Sequence, residues 1–505
     1  MCRYLKGSLQ RSCDDSAILL RYRASAGGFV RFAPIGELNR SVVRITTVNR
    51  NDRSIVALVM LAHGMVHTYE LSVPIFVTIW LSEFETINLG LAQFPVNSAT
   101  LGLVVTAGYG LFGLGALPGG VLVDRLGSRR LITLCLLGMS VSFFVLGVSP
   151  SVLAIAAAFL CWGAAASVYH PAGLALISKG VEERGTGFAY HGMAGNIGIG
   201  LGPLVAAVLL LFVDWRIVAI ILAVPALLAA LFANRAEFDE TAAVRGATAE
   251  TDGGTSGSDD PEARQSAESS GGGSKADAGV ESWGEFVTES RRLFAGSFVF
   301  VFVVVMCSGL YYRGVLTFLP QLLSGLPGVD PVSISSLVPG DLLASVGLEA
   351  SGDRQLNPER YIYSGLLMIG VLGQYAGGKL TDSVAPEKGI AGAFAGLAIL
   401  ALVFLPVANL GVVPLLVVAA VLGFALFVVQ PLYQATVAEY TPAGTRGLSY
   451  GYTYLGVFGV GALGGAIAGA ILEYASPDVL FVTLAGFAAL ASLVGVYLSR
   501  NASTA

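Results

Sequence analysis

Gly120-Val121-Leu122-Val123-Asp124-Arg125-Leu126-Gly127-Ser128-Arg129-Arg130 is a short charged stretch between two long apolar runs, and its partial recurrence at Gly378-Lys379-Leu380-Thr381-Asp382 decides the fold. Two further pairs keep nearly the same offset: Tyr169-His170-Pro171 with Val429-Gln430-Pro431, and Gly187-Phe188-Ala189-Tyr190 with Gly447-Leu448-Ser449-Tyr450. Partners lie 258 residues apart for the aspartates and 260 for the other two pairs. Three landmarks repeated in one order mean that one half of the chain copies the other, joined head to tail.

Each half is strongly apolar. Over 505 residues, 54% are hydrophobic and only 12% charged. A mean hydropathy of +0.73 is too high for a soluble domain of this size, so the chain is expected in a bilayer. Five scattered cysteines (Cys2, Cys13, Cys135, Cys161, Cys307) form neither a disulfide framework nor a metal-ligand spacing.

A bilayer-spanning helix needs roughly 20 apolar residues. Ile55 to Trp80 is the first such run, followed by 98–122, 131–148, 151–177, 186–212 and 217–233. Six more follow at 296–322, 361–380, 389–406, 411–435, 447–472 and 479–498. The expected fold is an all-α membrane protein of twelve transmembrane helices in two six-helix halves, 53–233 and 293–500. Residues 1–52 are polar with scattered arginines and read as a disordered tail or as a mis-called start, with the protein beginning near Val48. Residues 234–292 contain Gly-, Ser- and Asp-rich tracts with nothing to build a core, and are expected to be a flexible acidic linker. Trp283-Gly284-Glu285-Phe286-Val287 is expected to open a short surface helix.

Lysine and arginine in short loops stay on the cytoplasmic side. The loops after spans 2, 4, 8 and 10 hold Arg125, Arg129, Arg130, Lys179, Arg184, Lys388 and Arg446, against Arg216, Arg354 and Arg360 on the other side. Both termini are therefore expected inside.

In the opening stretch a small residue at Gly120 lets helices approach closely, Asp124 can accept hydrogen bonds at a helix end, and Arg129 and Arg130 can bind acidic partners. The stretch resembles the signature of the major facilitator superfamily, Gly-x-x-x-Asp-Arg-x-Gly-x-Arg-Arg, matched at Gly120, Asp124, Arg125, Gly127, Arg129 and Arg130. The second copy keeps Gly378 and Asp382. The resemblance implies that these residues act as a conformational latch. A narrower resemblance, to the branch containing fosmidomycin-resistance exporters, rests on Tyr169-His170-Pro171-Ala172-Gly173 and on the Gly-rich stretch from Gly192 to Pro203. Gly198, Gly202 and Pro203 match the Gly-x-x-x-Gly-Pro of proton-drug antiporters, whose flanking glycines are replaced here by Ala189, Ala206 and Ala207. Structurally the three permit close helix packing and a bend.

Charges in mid-span are rare because each costs roughly 2.5–3.5 kcal/mol on insertion scales. The two here are Glu70 and Arg313. His63, His67 and Glu70 follow one another at spacings of four and three, so they share one helical face and form a titratable stripe suited to proton coupling. Arg313 is a candidate receiver for a carboxylate or phosphate, or the ion-pair partner of Glu70. The superfamily resemblance implies that spans 1, 4, 7 and 10 line a central cavity. It would place His170, Tyr312, Arg313, Gln430, Tyr433 and Gln434 there as substrate-binding residues. No metal is expected, because no further ligand in the sequence completes the stripe. No cofactor and no nucleic acid is expected. No nucleophile set, phosphate loop or nucleotide fold appears, so the chain does not read as an enzyme.

These features together predict a plasma-membrane secondary transporter of a small molecule, coupled to protons or sodium and working as a monomer. Proton-coupled export leads, with proton-symport uptake of an organic anion or metabolite as the alternative. A non-transporting sensor is the reading from another class.

Overall fold

The structure, a computed structural model, describes residues 49–245, 283–337, 355–442 and 445–502. Most of the polar N-terminal extension, the linker from 246 to 282 and the outer loop from 338 to 354, with Arg354, lie outside the described residues.

Twelve membrane-crossing elements follow the apolar runs. In the first half they are α1 (Arg50–Glu83), the pair α2 (Ser98–Leu114) and α3 (Ala116–Leu126), α4 (Ser128–Gly147), the pair α5 (Val152–Ser167) and α6 (Tyr169–Gly180), α7 (Arg184–Leu209) and α8 (Trp215–Arg235). A surface helix, α9 (Trp283–Phe294), leads into α10 (Phe298–Leu316) and the short α11 (Leu319–Ser324). The outer face carries two small ladders, β1 (Thr86–Asn88) with β2 (Gln93–Pro95) and β3 (Val332–Ser333) with β4 (Gln355–Leu356), and the single turn α12 (Ile334–Leu337). The second half continues with α13 (Pro358–Thr381), α14 (Pro386–Ala408) and α15 (Val412–Glu439). It ends with α16 (Arg446–Tyr454), a π-helical segment (Leu455–Val460), α17 (Leu463–Tyr474) and α18 (Pro477–Ala502).

Ten of these spans are long and apolar enough to cross a bilayer, and α2–α3, bent by 46°, makes an eleventh. The twelfth, α13, is less apolar because it carries Glu359, Arg360, Gln374 and Lys379, yet it packs along α15 and α7. Among the described residues, Arg50, Arg125, Arg129, Arg130, Lys179, Arg184, Lys379, Lys388 and Arg500 share one face of the bundle, while Arg216 and Arg360 sit on the other. The basic face is cytoplasmic by the retention of Lys and Arg.

Local chemistry sets the element ends. Asn97 and Thr100 form a reciprocal capping box that starts α2. Gly127 leaves the helix at φ 79°, a conformation that glycine adopts without a Cβ clash, and turns the chain into α4. The opening stretch is therefore helical as far as Leu126. Gly120 does not make the close approach expected of it: a Cβ there would meet nothing within 4 Å, and Gly378 is equally open, whereas Gly119 faces the ring of Pro171.

Within the halves α1 packs on α7, α4 on α8, α13 on α15 and α14 on α18; the halves meet along two seams, α2 against α17 and α7 against α13. The first seam is built on backbone contact. A Cβ on Gly102 would lie 2.9 Å from the Gly465 carbonyl, and one on Gly469 would fall on the carbonyl of Ser98. Overpacking such a contact costs about 1–3 kcal/mol. Gly469→Leu is thus expected to force the outer ends apart and to raise labelling of a cysteine placed at Gln321 by an impermeant maleimide roughly tenfold, since about 1.4 kcal/mol is a factor of ten. Unchanged labelling of the folded variant would contradict this.

Candidate functional site

A cavity of about 610 Å³ lies between the halves. Its walls come from α1, α6 and α7 on one side and α10, α13, α14, α15, α16 and the π-helical segment on the other. Glu70 and Tyr312 close its inner end near mid-membrane, and Ser178, Phe188 and Tyr450 flank it toward the cytoplasmic ends of the helices. The outer side is sealed by bonds between the halves. Tyr363 donates to the Leu71 carbonyl at 3.1 Å, Gln321 Nε2 to Ser98 Oγ at 3.2 Å, Thr106 Oγ1 to the Ala462 carbonyl at 2.9 Å and Tyr361 to the Ala207 carbonyl at 3.3 Å. This is an inward-facing arrangement.

Glycines bring the site together. On α7, a Cβ at Gly195 would lie 2.5 Å from His63 Cε1, and one at Gly202 would lie 2.6 Å from Thr68 Cα. One at Gly198 would fall on the backbone of Gly64. α1 therefore lies in a groove of bare α7 backbone, with His63 pressed into it.

At the inner end, Glu70 forms a buried ion pair with Arg313 of α10, joining the two halves. The guanidinium sits over the Tyr109 ring, with Cζ 3.6 Å from its centroid. The Tyr109 hydroxyl donates to the Glu70 carbonyl at 2.5 Å. The other carboxylate oxygen of Glu70 meets His67 Nδ1 at 2.5 Å. His67 Nε2 in turn meets His63 Nε2 at 3.0 Å, and His63 Nδ1 meets the His191 carbonyl at 2.7 Å.

The protons in this chain can be counted. A carbonyl only accepts, so His63 Nδ1 carries hydrogen. The two remaining bonds, Nε2 to Nε2 and Nδ1 to carboxylate, each need one more. Two neutral imidazoles and an ionised carboxylate supply two hydrogens in all, one short of three. Filling all three contacts with hydrogen bonds would therefore take one proton beyond that neutral complement. Without it, lone pairs would face each other either between the two imidazoles or between His67 and the carboxylate.

All four histidines of the chain meet here, although His63, His67, His170 and His191 come from three helices. The His191 ring stacks on that of His63 at 3.8 Å, and its buried Nε2 has no partner among the described residues. His170 stands 5.3 Å from His63 and 5.7 Å from His67 between ring centroids, and also packs on Tyr454 of α16. Ring nitrogens of His63, His67 and His170 lie within 4.8 Å of one another, a spread that a divalent ion could bridge. The expectation that no third imidazole completes the α1 stripe does not hold. Yet two nitrogens on tetrahedral zinc sit about 3.3 Å apart, given bonds of about 2.0 Å. The closer His63–His67 approach fits a shared proton.

Of the residues singled out in the sequence, His63, His67, Glu70, His170, Tyr312, Gln430, Tyr433 and Gln434 line the cavity. Arg313 does not. It is only 2% exposed, behind Tyr109 and Glu70, so it cannot receive a substrate carboxylate directly from the wall. His191, Asn196 and Gln374 line the cavity without having been singled out. The available signal was their polarity inside apolar runs.

Among the described residues, the two aspartates of the latch-like stretches pair within their own halves, Asp382 with Lys379 at 3.6 Å in the second. Asp124 pairs with Lys179 at 3.3 Å. Arg129 donates to the carbonyls of Ala233 and Asn234 at 2.9 and 2.8 Å, satisfying the C-terminal end of α8. The segment expected to be flexible from 234 is tied down at its start. Glu240 accepts from the Ser128 amide at 2.8 Å, and Asn51 donates to the Gly180 carbonyl and accepts from the Asp239 amide. The paired Thr241 amide and hydroxyl hold the Asp239 carboxyl below its usual range. At the other end of the segment, α9 is the surface helix expected from Trp283 onward.

The model of a transporter family described as the Major Facilitator Superfamily matches residues 46–369 and 360–504. Among solved structures, the nucleoside transporter NupG is 14% identical, with a TM-score of 0.60 over 89% of this chain and 99% of that one. The peptide transporter POT in complex with sulfate is 14% identical, with a TM-score of 0.61 over 89% and 95%. A bacterial homolog of the human lysosomal transporter Spinster, in an inward-facing and occupied conformation, is 13% identical, with a TM-score of 0.61 over 90% and 98%. No curated protein matches the chain.

Proposed function

Because this chain belongs to the Major Facilitator Superfamily, we propose that it is a secondary transporter that couples a proton to the passage of a small organic compound by alternating access. The observation that carries the coupling is the hydrogen-bond count from the His191 carbonyl to Glu70, which requires one proton beyond the neutral complement. That proton sits where the cavity ends and where the halves are joined. Its loss removes a bond from the same residue that pairs with Arg313, so the proton and the outer seal are linked.

The charged and titratable groups around the pair come from every neighbouring element. Tyr109 on α2, His170 with Tyr169 on α6 and His191 on α7 belong to the first half; Tyr312 and Arg313 on α10, Tyr363 on α13, Tyr433 on α15 and Tyr454 on α16 belong to the second. None of them is a second carboxylate, so Glu70 is the acid of the site.

Export by exchange against protons draws support from the Tyr169–Gly173 and Gly192–Pro203 stretches. Co-transport draws support from the charge of the proton-loaded site. The two give opposite pH changes when compound is added outside proteoliposomes. The test is that pH change across a panel of carboxylates, phosphonates, neutral compounds and cationic dyes, with wild type and Glu70→Gln, in sodium-free buffer. Wild type is expected to move protons with at least one compound, and Glu70→Gln to bind that compound while losing the coupled signal at least tenfold. If compounds bind wild type and none moves protons, the coupling reading fails, and sodium dependence or a sensory role replaces it.

A further inference from the structure

The proton-loaded site is electrically unbalanced. Glu70 contributes one negative charge, Arg313 one positive, and the excess proton on the imidazole chain a second positive. The sum is +1, buried near mid-membrane. Among the described residues that line the cavity there is no aspartate, lysine or arginine, and Glu70 is the only carboxylate. Nothing on the protein wall offsets the charge. An unpaired buried charge is costly, and a bound counter-charge removes that cost.

The rest of the wall is suited to supplying one. Tyr312, Tyr433 and Tyr454 carry hydroxyls, and Asn196, Gln430 and Gln434 carry amides, all neutral groups able to donate. Phe188, Phe394 and Phe458 supply apolar surface beside them. Arg313, out of direct reach, acts through the site's net charge.

We infer that the substrate is a small organic monoanion, and that it binds together with the proton and crosses in the same direction. This rests on the proton-coupling reading of the site and adds the sign of the substrate. The anion brings the proton-loaded site from +1 to neutrality, and anion and proton each stabilise the binding of the other, as linkage requires. A cation would meet like charge in the loaded state and would have to displace the proton.

The test is isothermal titration calorimetry on the full chain in detergent, in two buffers of different ionisation enthalpy, which reports protons taken up per ligand bound. The probes are benzoate and its aliphatic homologues, each against its neutral amide or ester and its amine isostere. At a pH where the free site has lost its proton, the carboxylates are expected to bind with uptake of close to one proton and to weaken about tenfold per pH unit. Amides and amines are expected to be at least tenfold weaker. Glu70→Gln fixes the site at +1 without any proton, so its anion binding becomes independent of pH. His67→Gln removes the proton-binding imidazole, and its anion binding becomes weak at every pH. Should one variant fail to fold, the other still decides.

An amine that binds with proton release, or anions that bind without proton uptake at a pH where the free site is deprotonated, would overturn the inference, as would a panel in which no anion binds. Failure of this inference and of the coupling reading are separable. Amines driving proton flux in liposomes would leave coupling intact and reverse the sign of the substrate.

Discussion

Arg313→Met is expected to destabilise the protein by about 3–5 kcal/mol, because it strips the partner from a carboxylate that is itself fully buried. Glu70 would retain His67, but a single imidazolium does not replace a guanidinium that also stacks on Tyr109. The diagnostic comparison is the double variant Glu70→Met/Arg313→Met. Replacing both members of a buried pair by apolar groups is often neutral or stabilising. Thermal unfolding in detergent should therefore rank wild type and the double variant together, well above Arg313→Met. A double variant as unstable as the single one would show that the pair does not account for the loss. The double variant is also expected to be inactive in coupled transport, which separates the pair's structural part from its chemical one.

Gly198→Leu should cost about 3 kcal/mol or more, the upper end of what overpacking exacts. A Cβ at this position has no space, since the carbonyl carbon and Cα of Gly64 would each be 3.0 Å away and neither is the end of a flexible side chain. α1 cannot retreat easily, because it is held on its other faces by Tyr69 donating to the Leu222 carbonyl at 2.7 Å and by Tyr169 donating to the Val59 carbonyl at 2.6 Å. Size-exclusion profiles and melting curves of Gly198→Leu should show little folded protein, while Gly192→Leu, at a glycine with open space, should behave as wild type. A normally folded Gly198→Leu would mean that α1 and α7 can separate, and that the groove is not what places His63.

Much of the architecture was legible because duplication and apolar run length are one-dimensional properties. The repeat at Asp124 and Asp382 and the twelve runs set the number of spans and the two halves. The α1 stripe was legible for the same reason, since spacing along one helix fixes a face. What was not legible depends on contacts between helices. His191 entered the site through the stacking of α7 on α1, and its backbone carbonyl, which every residue has, is what orients His63. Arg313 was visible as a buried charge, but whether it faced the cavity or its neighbour depended on Tyr109, 204 residues away, sitting under it. Gly120 and Gly119 are adjacent and equally small, and only the three-dimensional register of α3 on α6 tells which one Pro171 approaches.

The stripe on α1 has an electrical consequence. From His63 to Glu70 the helix rises by about 10 Å, at about 1.5 Å per residue. That is about a third of a hydrocarbon core of about 30 Å. On the proposed coupling, a proton passed between the two ends of this stripe would cross up to about a third of the membrane field even while the protein stays still. At 100 mV, where a full crossing is worth about 2.3 kcal/mol per charge, the field biases the proton between the two ends of the chain by about 0.8 kcal/mol. Occupancy of the carboxylate end would then respond to voltage as well as to pH, and a polarised membrane would act through Glu70 on the ion pair that joins the halves.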